Sequence, residues 1–254
     1  MSNDALNSLL REYEQKKLDA ELDLEKRKQT LYKLIPRLEE IDSELSKLGI
    51  STAKNILNNV SEPNSVDNLK LKKGVIYGIV GRNGSGKSML FKSICGFLTP
   101  KEGYVKVFDE DIYQNKTFPK NTRALIEKPT FISSISGYEN LKLLAGIQNK
   151  IGTEEIFDTL KLVNLYDDKD KKYGKYSLGM KQKLGIASVL MENPEIIILD
   201  EPFNAIDNDS IKKIKDYLLS IKKEKLIIIA THINQDIEDL CDEIYTMDNG
   251  KLLK

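Results

Sequence analysis

The chain has 254 residues, enough for one large domain or for a domain with an appendage. Its 39 basic residues balance 39 acidic ones, which argues against a generally basic nucleic-acid-binding protein, and no direct nucleic-acid binding is expected. The two cysteines, Cys95 and Cys241, form no CxxC pair and provide no metal or disulfide framework. No apolar run approaches the roughly 20 residues that span a bilayer, and the N-terminus has no apolar export signal, so a cytoplasmic location is expected.

The first 60 residues are rich in Leu, Glu, Lys and Asp, a composition typical of helices. One apolar stripe follows the spacing of a helix face: Leu38, Ile41, Leu45 and Leu48. Pro36 interrupts this pattern, which predicts two helices arranged as a hairpin or a kinked arm. Residues 61–68, SEPNSVDN, have the composition of a linker.

From residue 69 onward, short apolar runs alternate with helical stretches. The runs GVIYGIV, EIIILDEP and KLIIIATH are followed by KSMLFKSICGFL, SIKKIKDYLLSI and INQDIEDLC. Strands without polar alternation are buried on both faces, as in a parallel sheet covered by helices. Residues from about 130 to 193 have little strand signal and predict a helical subdomain. The predicted fold is an α/β domain over 69–254 with a mostly parallel sheet, preceded by an N-terminal helical arm over 1–60.

A phosphate-binding loop follows the first apolar run and matches G-x-x-x-x-G-K-[ST] at every fixed position. Its residues are Gly81, Arg82, Asn83, Gly84, Ser85, Gly86, Lys87 and Ser88. Glycines let the backbone curl so that N–H groups point at phosphate oxygens, and the following helix presents its positive N-terminal end. We expect Lys87 to reach the β- and γ-phosphates of a nucleotide and the Ser88 hydroxyl to hold Mg²⁺. This motif predicts the fold of a P-loop NTPase.

Three further polar residues follow buried strands, at the carboxyl edge where ligand chemistry occurs in open α/β sheets. Asp200 ends the run EIIILD, and we expect it to bind Mg²⁺ directly or through water. Glu201 lies one residue further, where it can orient and polarise an attacking water. His232, the only histidine of the chain, follows LIIIAT, and we expect it to contact the γ-phosphate and to sense its presence.

The stretch YSLGMKQKLGIASVLMENPEIIILDEPFNAID resembles the segment from the signature to the D-loop of ABC ATPases, the nucleotide-binding subunits of ABC transporters. Ser177 and Gly179 match the LSGGQ signature of that family. Leu178 replaces a signature glycine and Met180 replaces the glutamine. Asp207 closes the sequence NAID, which matches the D-loop.

Two more positions carry the resemblance, which extends from about residue 69 to residue 250. His232 falls at the family's switch histidine. Glu127 occupies the place of the Q-loop glutamine, where the resemblance implies contact with the metal or the attacking water. This Glu variant, together with YSLGMKQ, is similar to bacitracin- and lantibiotic-type export or immunity ATPases. The resemblance implies an ATP-hydrolysing subunit with ATP and Mg²⁺ as cofactors.

The resemblance also implies partners. Its signature would lie on the helical lobe, far from the phosphate-binding loop of the same chain, so a head-to-tail dimer is expected. In that dimer Ser177, Gly179 and Asp207 would serve the ATP site of a second copy or of a paired ABC subunit. ATP binding would close the dimer and hydrolysis would release it. A separate multi-span membrane permease is implied, with this chain peripheral on the inner face of the membrane.

The chain departs from the family pattern before the phosphate-binding loop. The family usually stacks adenine on an aromatic residue there, yet no aromatic residue lies between Tyr32 and Tyr77. NILNNV is the only candidate for the family's first strand. Either aliphatic contacts hold adenine or the sheet is incomplete.

The N-terminal region has a resemblance of its own. Residues from about 5 to 58 are similar to the N-terminal, partner-binding region of DnaC-like helicase loaders. A fusion joint near residues 58–68 is therefore expected. This leaves an alternative function, a soluble ATPase without a transport role whose arm docks on a replication complex, and the partner of the arm is open.

Overall fold

The structure, a computed structural model, describes residues 69–254. The predicted helical arm over 1–60, the linker over 61–68 and the strand candidate NILNNV lie outside the described residues. The DnaC-like stretch lies outside them as well. The predicted α/β domain over 69–254 is described in full.

A six-stranded sheet forms the centre of the domain, in the order β4-β5-β6-β1-β7-β8. The strands are β1 (Ile76–Val80), β4 (Thr122–Leu125), β5 (Ile196–Asp200), β6 (Leu226–Thr231), β7 (Glu243–Asp248) and β8 (Lys251–Leu253). Only β8 runs antiparallel to its neighbour, so the predicted mostly parallel sheet is confirmed. A separate two-stranded hairpin consists of β2 (Lys106–Val107) and β3 (Glu110–Asp111).

Five α-helices accompany the sheet in the described part of the chain. They are α1 (Lys87–Ile94), α2 (Gly137–Gln148), α3 (Thr153–Leu162), α4 (Leu178–Leu190) and α5 (Asn208–Ile221). The helices α2, α3 and α4 follow one another without an intervening strand. None of the helices in 69–254 has the length and apolar character that crossing a membrane would require.

The prediction of a helix over INQDIEDLC is wrong. The chain there forms a short 3-10 helix at Asn234–Asp236, followed by turns. The backbone hydrogen bonds of this stretch are a mixture of i→i−3 and i→i−4 bonds, so no continuous α-helical series forms before the next strand. The backbone of Asp242 already bonds to Ile76 at the start of β1, so the chain must enter β7 at once.

The strand β5 shows why the apolar runs lack polar alternation. Ile196 and Ile198 pack into the hydrophobic cluster that contains Phe91 of α1. Ile197 and Leu199 pack into the cluster on the other face, which contains residues of α4 and α5. Because both faces are covered, every side chain of the strand must be apolar until its carboxyl end.

Candidate nucleotide-binding site

The loop between β1 and α1 has a backbone that requires its glycines. Gly84 and Gly86 have φ angles of 82° and 115°, which residues with a Cβ rarely adopt. A Cβ at Gly81 would lie 2.4 Å from the carbonyl oxygen of Met247. The loop turns tightly and ends at Gly86, the N-cap of α1. Its geometry suits backbone binding of an anion at the positive end of a helix.

Lys87 and Ser88 are the first two residues of α1 and both face the carboxyl edge of the sheet. The ammonium of Lys87 is buried and donates to the carbonyl oxygens of Gly81 at 2.6 Å and Arg82 at 3.2 Å. The Ser88 hydroxyl contacts Asp200 Oδ2 at 2.5 Å. The structure thus places the lysine and the hydroxyl of the loop beside the end of β5.

Asp200 is the last residue of β5 and only 5% exposed. Burial raises the pKa of Asp200 above its ordinary value, while the hydrogen bond from Ser88 opposes that shift. A buried carboxylate is stabilised by a nearby cation, and Lys87 supplies part of that charge. The site therefore favours binding of a further positive charge at Asp200.

Glu201 is the centre of the polar contacts at this edge. Its Oε2 lies 2.8 Å from His232 Nδ1 and 3.3 Å from Thr231 Oγ1. Its Oε1 lies 3.5 Å from the Lys87 ammonium. Four of the residues singled out in the sequence, Lys87, Asp200, Glu201 and His232, meet here within a few ångströms of one another.

Two buried oxygen atoms at this edge lack a hydrogen-bond partner among residues 69–254, namely Ser85 Oγ and Glu201 Oε1. A buried polar atom without a partner is costly unless a ligand or water satisfies it. Both atoms belong to segments that the sequence assigns to phosphate binding and hydrolysis. A bound ligand with its own polar atoms would complete the site.

A cleft of about 510 Å³ extends from the phosphate-binding loop to the start of α4. It is lined by Asn83, Gly84, Gly86, Lys87, Ser88, Met89, Glu127, Lys128, Leu178, Gln182, Asp200, Glu201 and Asn204. Two apolar side chains border the cleft, Met89 and Leu178, and each is 60% exposed. The volume is within the range of small-molecule sites.

The residues of the signature lie at the first turn of α4. Ser177 is the N-cap of this helix, and its hydroxyl accepts a hydrogen bond from the Met180 amide at 3.2 Å. Gly179 packs against the D-loop, because a Cβ there would lie 2.3 Å from the carbonyl oxygen of Ala205. Leu178 borders the cleft of the same chain, whereas Ser177 and Gly179 do not line it.

Glu127 and Asp207 make contacts that the sequence does not predict. The carboxylate of Glu127 forms an ion pair with Lys92 of α1 instead of contacting Ser88 or Asp200, although Glu127 does line the cleft. Asp207 is the N-cap of α5 and pairs with the Lys183 ammonium at 2.6 Å. The hydrogen bond from Lys183 lowers the pKa of Asp207 below its ordinary range.

Sequence reasoning missed Gln182, which is 8% exposed in the second turn of α4. Its amide donates to the carbonyl oxygen of Glu201 at 3.0 Å and to that of Pro202 at 3.3 Å. The available signal was a polar residue on the buried face of an apolar helix, since Gly185, Ile186 and Val189 continue that face. A buried amide requires hydrogen-bond partners, and these lie beside the site.

The fold and the loop define the class of protein, a P-loop ATPase. Within that class, a family model described as ABC transporter matches residues 65–204, and the chain belongs to this family. The match begins inside the predicted linker over 61–68. The chain is an ATP-binding and ATP-hydrolysing subunit of the ABC type.

Curated relatives agree with this family. The chain is 37% identical over 201 residues to the uncharacterized ABC transporter ATP-binding protein YybJ of Bacillus subtilis, covering 78% of this chain and 92% of the relative. It is 38% identical to the bacitracin transport ATP-binding protein BcrA of Enterococcus faecalis, covering 74% and 62% respectively. It is 32% identical to the lantibiotic transport ATP-binding protein SrtF of Streptococcus pyogenes, covering 79% and 83%.

Solved structures agree as well. A structure of an ATP-binding subunit of an ABC transporter has a TM-score of 0.64 at 26% identity, covering 72% of this chain and 78% of that one. CbiO1 from Clostridium perfringens, part of the ABC transporter complex cbiONQ, has a TM-score of 0.62 at 29% identity, with 74% and 78% covered. No helicase loader is among these relatives, so the alternative function finds no support in them.

Proposed function

We propose that this chain powers an export system for peptide antibiotics of the bacitracin or lantibiotic class, together with a multi-span membrane permease. The proposal rests on the names of BcrA and SrtF, and on the resemblance of the stretch YSLGMKQ to ATPases of that type. This chain spans less than two thirds of BcrA, so the substrate of that relative is not carried over as a fact. Peripheral location at the inner face of the membrane follows from the same proposal.

The carboxyl edge of β5 and β6 would carry ATP hydrolysis. The observation that supports this most strongly is Glu201, whose Oε2 is held by His232 while its buried Oε1 has no hydrogen-bond partner in 69–254. An attacking water is a suitable partner for Oε1, because a carboxylate can orient it and accept its proton. Lys87, 3.5 Å from the same oxygen, would move to the β- and γ-phosphates when ATP binds.

The donor set beside Glu201 fits Mg²⁺. The cation is usually held by one or two carboxylates together with phosphates of the substrate, and its bound form neutralises charge on the transferred phosphoryl group. Here the Ser88 hydroxyl and the Asp200 carboxylate adjoin each other, and the buried Asp200 gains from a cation. We assign these two residues to the metal. Glu127, paired with Lys92, would reach the metal or the water only after leaving that ion pair.

The signature residues support a dimer. Ser177 and Gly179 do not line the cleft of their own chain, yet Ser177 caps a helix whose N-terminal end suits an anion. In a head-to-tail dimer with a second copy or a paired subunit, this turn would close on the γ-phosphate of the other chain. Asp207, fixed to Lys183 of the signature helix, would lie at the same interface.

The loop at residues 129–136 is our candidate for docking the permease. Asn140 fixes this loop through hydrogen bonds to the Ile132 amide and carbonyl and to the Ser136 carbonyl. Tyr173 donates to the Pro129 carbonyl at 2.8 Å. Ile132 nevertheless remains 52% exposed at the tip. A rigid loop with an exposed apolar tip suits a helix of a membrane partner.

A gene deletion tests the transport proposal. We expect loss of this chain to raise the susceptibility of the organism that carries it to bacitracin or to a lantibiotic. The wild-type gene should restore resistance and the Glu201→Gln gene should not. Unchanged susceptibility to both classes would overturn the transport proposal, while ATPase assays on the purified chain test the site independently.

The predicted arm over 1–60 requires a separate test. We propose that it binds a protein partner, on the DnaC-like resemblance alone. A pull-down with the full chain and with a chain lacking residues 1–60 should differ by that partner. Identical partners in both experiments would contradict a binding role for the arm.

A further inference from the structure

The side chain of Gln182 connects helix α4 to the end of β5. The two residues that it contacts, Glu201 and Pro202, lie 19 and 20 residues further along the chain. Its amide nitrogen donates to the carbonyl oxygens of Glu201 and Pro202, at 3.0 and 3.3 Å. The side chain is nearly fully buried, so water does not compete for these bonds. A buried amide that bonds two successive carbonyl groups fixes the orientation of both peptide planes.

Those peptide planes belong to a strained part of the backbone. Glu201 has a φ angle of 50°, in the left-handed region that residues other than Gly, Asn and Asp rarely adopt. Such a conformation is energetically unfavourable and persists only where surrounding contacts hold it. The Glu201 amide donates to the Ala230 carbonyl at 2.8 Å, and Gln182 holds the carbonyl on the other side. The two bonds fix the backbone of Glu201 from opposite directions.

The direction of the Glu201 side chain depends on this backbone. From the left-handed conformation the carboxylate reaches both His232, at 2.8 Å, and Lys87, at 3.5 Å. A relaxed φ angle would turn the Cα–Cβ bond and separate the carboxylate from one or both partners. Gln182 therefore acts on the carboxylate through the main chain.

We propose that Gln182 is a positioning residue for ATP hydrolysis: it holds the backbone of Glu201 so that the carboxylate faces the water and the γ-phosphate. The inference rests on the role of Glu201 given under the proposed function. Since Ser177 caps the same helix five residues earlier, Gln182 ties the signature helix to the hydrolytic residue of its own chain.

The test compares hydrolysis with nucleotide affinity in the full chain. Gln182→Met keeps the length of the side chain and removes the amide donor. Gln182→Glu keeps an oxygen but sets a carboxylate against two carbonyl oxygens. We expect kcat to fall about 10- to 100-fold in Gln182→Met, because a displacement of about 1 Å in a catalytic group costs about that much, and further in Gln182→Glu. The Kd for a fluorescent ATP analogue should stay within about threefold, since no phosphate contact is lost.

The matched control is Gln148→Met, which makes the same change at an exposed position at the end of α2. It should leave kcat and Kd unchanged. If Gln182→Met fails to fold, as judged by its Tm, Gln182→Leu serves as the second variant without a donor. A kcat equal to that of the wild type in the folded variant would overturn the proposal, and so would a parallel loss of ATP affinity, which would indicate direct nucleotide binding.

A double-mutant cycle with Glu201→Gln separates this proposal from the proposed function. If Gln182 acts through the Glu201 carboxylate, Gln182→Met should have little further effect on the residual hydrolysis of Glu201→Gln. The same fold-loss in both backgrounds would contradict the positioning role. A Glu201→Gln single variant with wild-type kcat would instead refute the role of Glu201 itself.

Discussion

Two regions of this molecule carry its candidate site residues. They differ in how many contacts these residues make with other parts of the same chain. At the carboxyl edge of β5 and β6, Lys87 and Asp200 are buried and Glu201 is held by His232. At the first turn of α4, Leu178 is 60% exposed, and the Ser177 hydroxyl accepts a hydrogen bond from the Met180 amide of the same helix. The contacts of the first region lie within one chain, whereas we propose that the second region binds a phosphate held by another chain. The difference supports the proposal that one chain binds nucleotide and that a second chain completes the site for hydrolysis.

The largest effect is expected at the self-contained edge. Glu201→Gln keeps the size and hydrogen-bonding capacity of the side chain but removes its charge and basicity. General-base assistance is typically worth about 10² to 10⁴ in rate, so kcat should fall by that factor while ATP still binds. Steady-state hydrolysis measures kcat, and nucleotide titration measures the affinity for ATP. Loss of binding together with hydrolysis would show that Glu201 serves the nucleotide rather than the water.

A smaller loss is expected from Lys87→Ala, which removes the buried ammonium next to the loop. Its charge-assisted bond to phosphate contributes roughly 1.5 to 3 kcal/mol, or about 10- to 100-fold in ATP affinity. Isothermal titration with Mg²⁺-ATP checks this value. Equal affinities of the wild type and the variant would contradict the assignment of the loop.

The ion pair between Asp207 and Lys183 should contribute less than either of these contacts. Asp207→Asn keeps an N-cap acceptor for α5 but loses the pair with Lys183, and since Asp207 is 55% exposed the stability change should be below about 1 kcal/mol. The hydrogen bond from Lys183 lowers the folded-state pKa of Asp207 below the ordinary 3.8. The stabilisation is therefore present above about pH 4 and is lost as the pH falls from there toward the folded-state pKa.

Thermal unfolding of Asp207→Asn and the wild type over a pH series checks this prediction. The difference in Tm should shrink as the solution is acidified below about pH 4. Asp209→Asn is the matched control, because this exposed carboxylate lies in the first turn of the same helix and forms no ion pair with a described residue. A difference in Tm that grows on acidification would have the wrong sign for this pair.

The smallest effect is expected from Glu127→Gln. Glu127 is 62% exposed and pairs with Lys92 at the surface, where such pairs contribute little. Glutamine retains a carbonyl oxygen that can contact Lys92, the metal or the water. ATPase activity should stay within about threefold of the wild type. If Glu127→Gln abolished activity and Glu127→Ala did not, the assignment of Glu127 to the position of the Q-loop glutamine would be wrong.

The two regions also differ in how well the sequence predicts them. The place of the loop between β1 and α1 is predicted, because its glycines and Lys87 belong to one short motif whose backbone geometry is local. Asp200 and His232 are predicted to adjoin because both end apolar runs of one parallel sheet. Contacts between distant segments are not predictable in this way. The pairing of Glu127 with Lys92 is one case, and the bonds of Gln182 to carbonyl groups far along the chain are another.

Part of the fold was missed for a related reason. The strand β8 has only three residues, and β7 begins and ends with a charged residue, so neither sequence has the continuous apolar run of β5 and β6. They lie at one side of the sheet, where β7 pairs with β1 and β8, and β8 pairs with β7. The pattern of INQDIEDLC is compatible with a helix, but its backbone forms turns whose hydrogen bonds are a mixture of i→i−3 and i→i−4 bonds.

The central claim, that the signature turn of one chain completes the ATP site of another, is tested most directly by the mass of Glu201→Gln in solution. Size-exclusion chromatography with light scattering should show a dimer with Mg²⁺-ATP and a monomer with ADP, because hydrolysis can no longer open the closed state. Ser177→Arg in the same background should remain monomeric, since its side chain would fill the space for the γ-phosphate of the second chain. A Glu201→Gln protein that binds ATP and stays monomeric would contradict the claim.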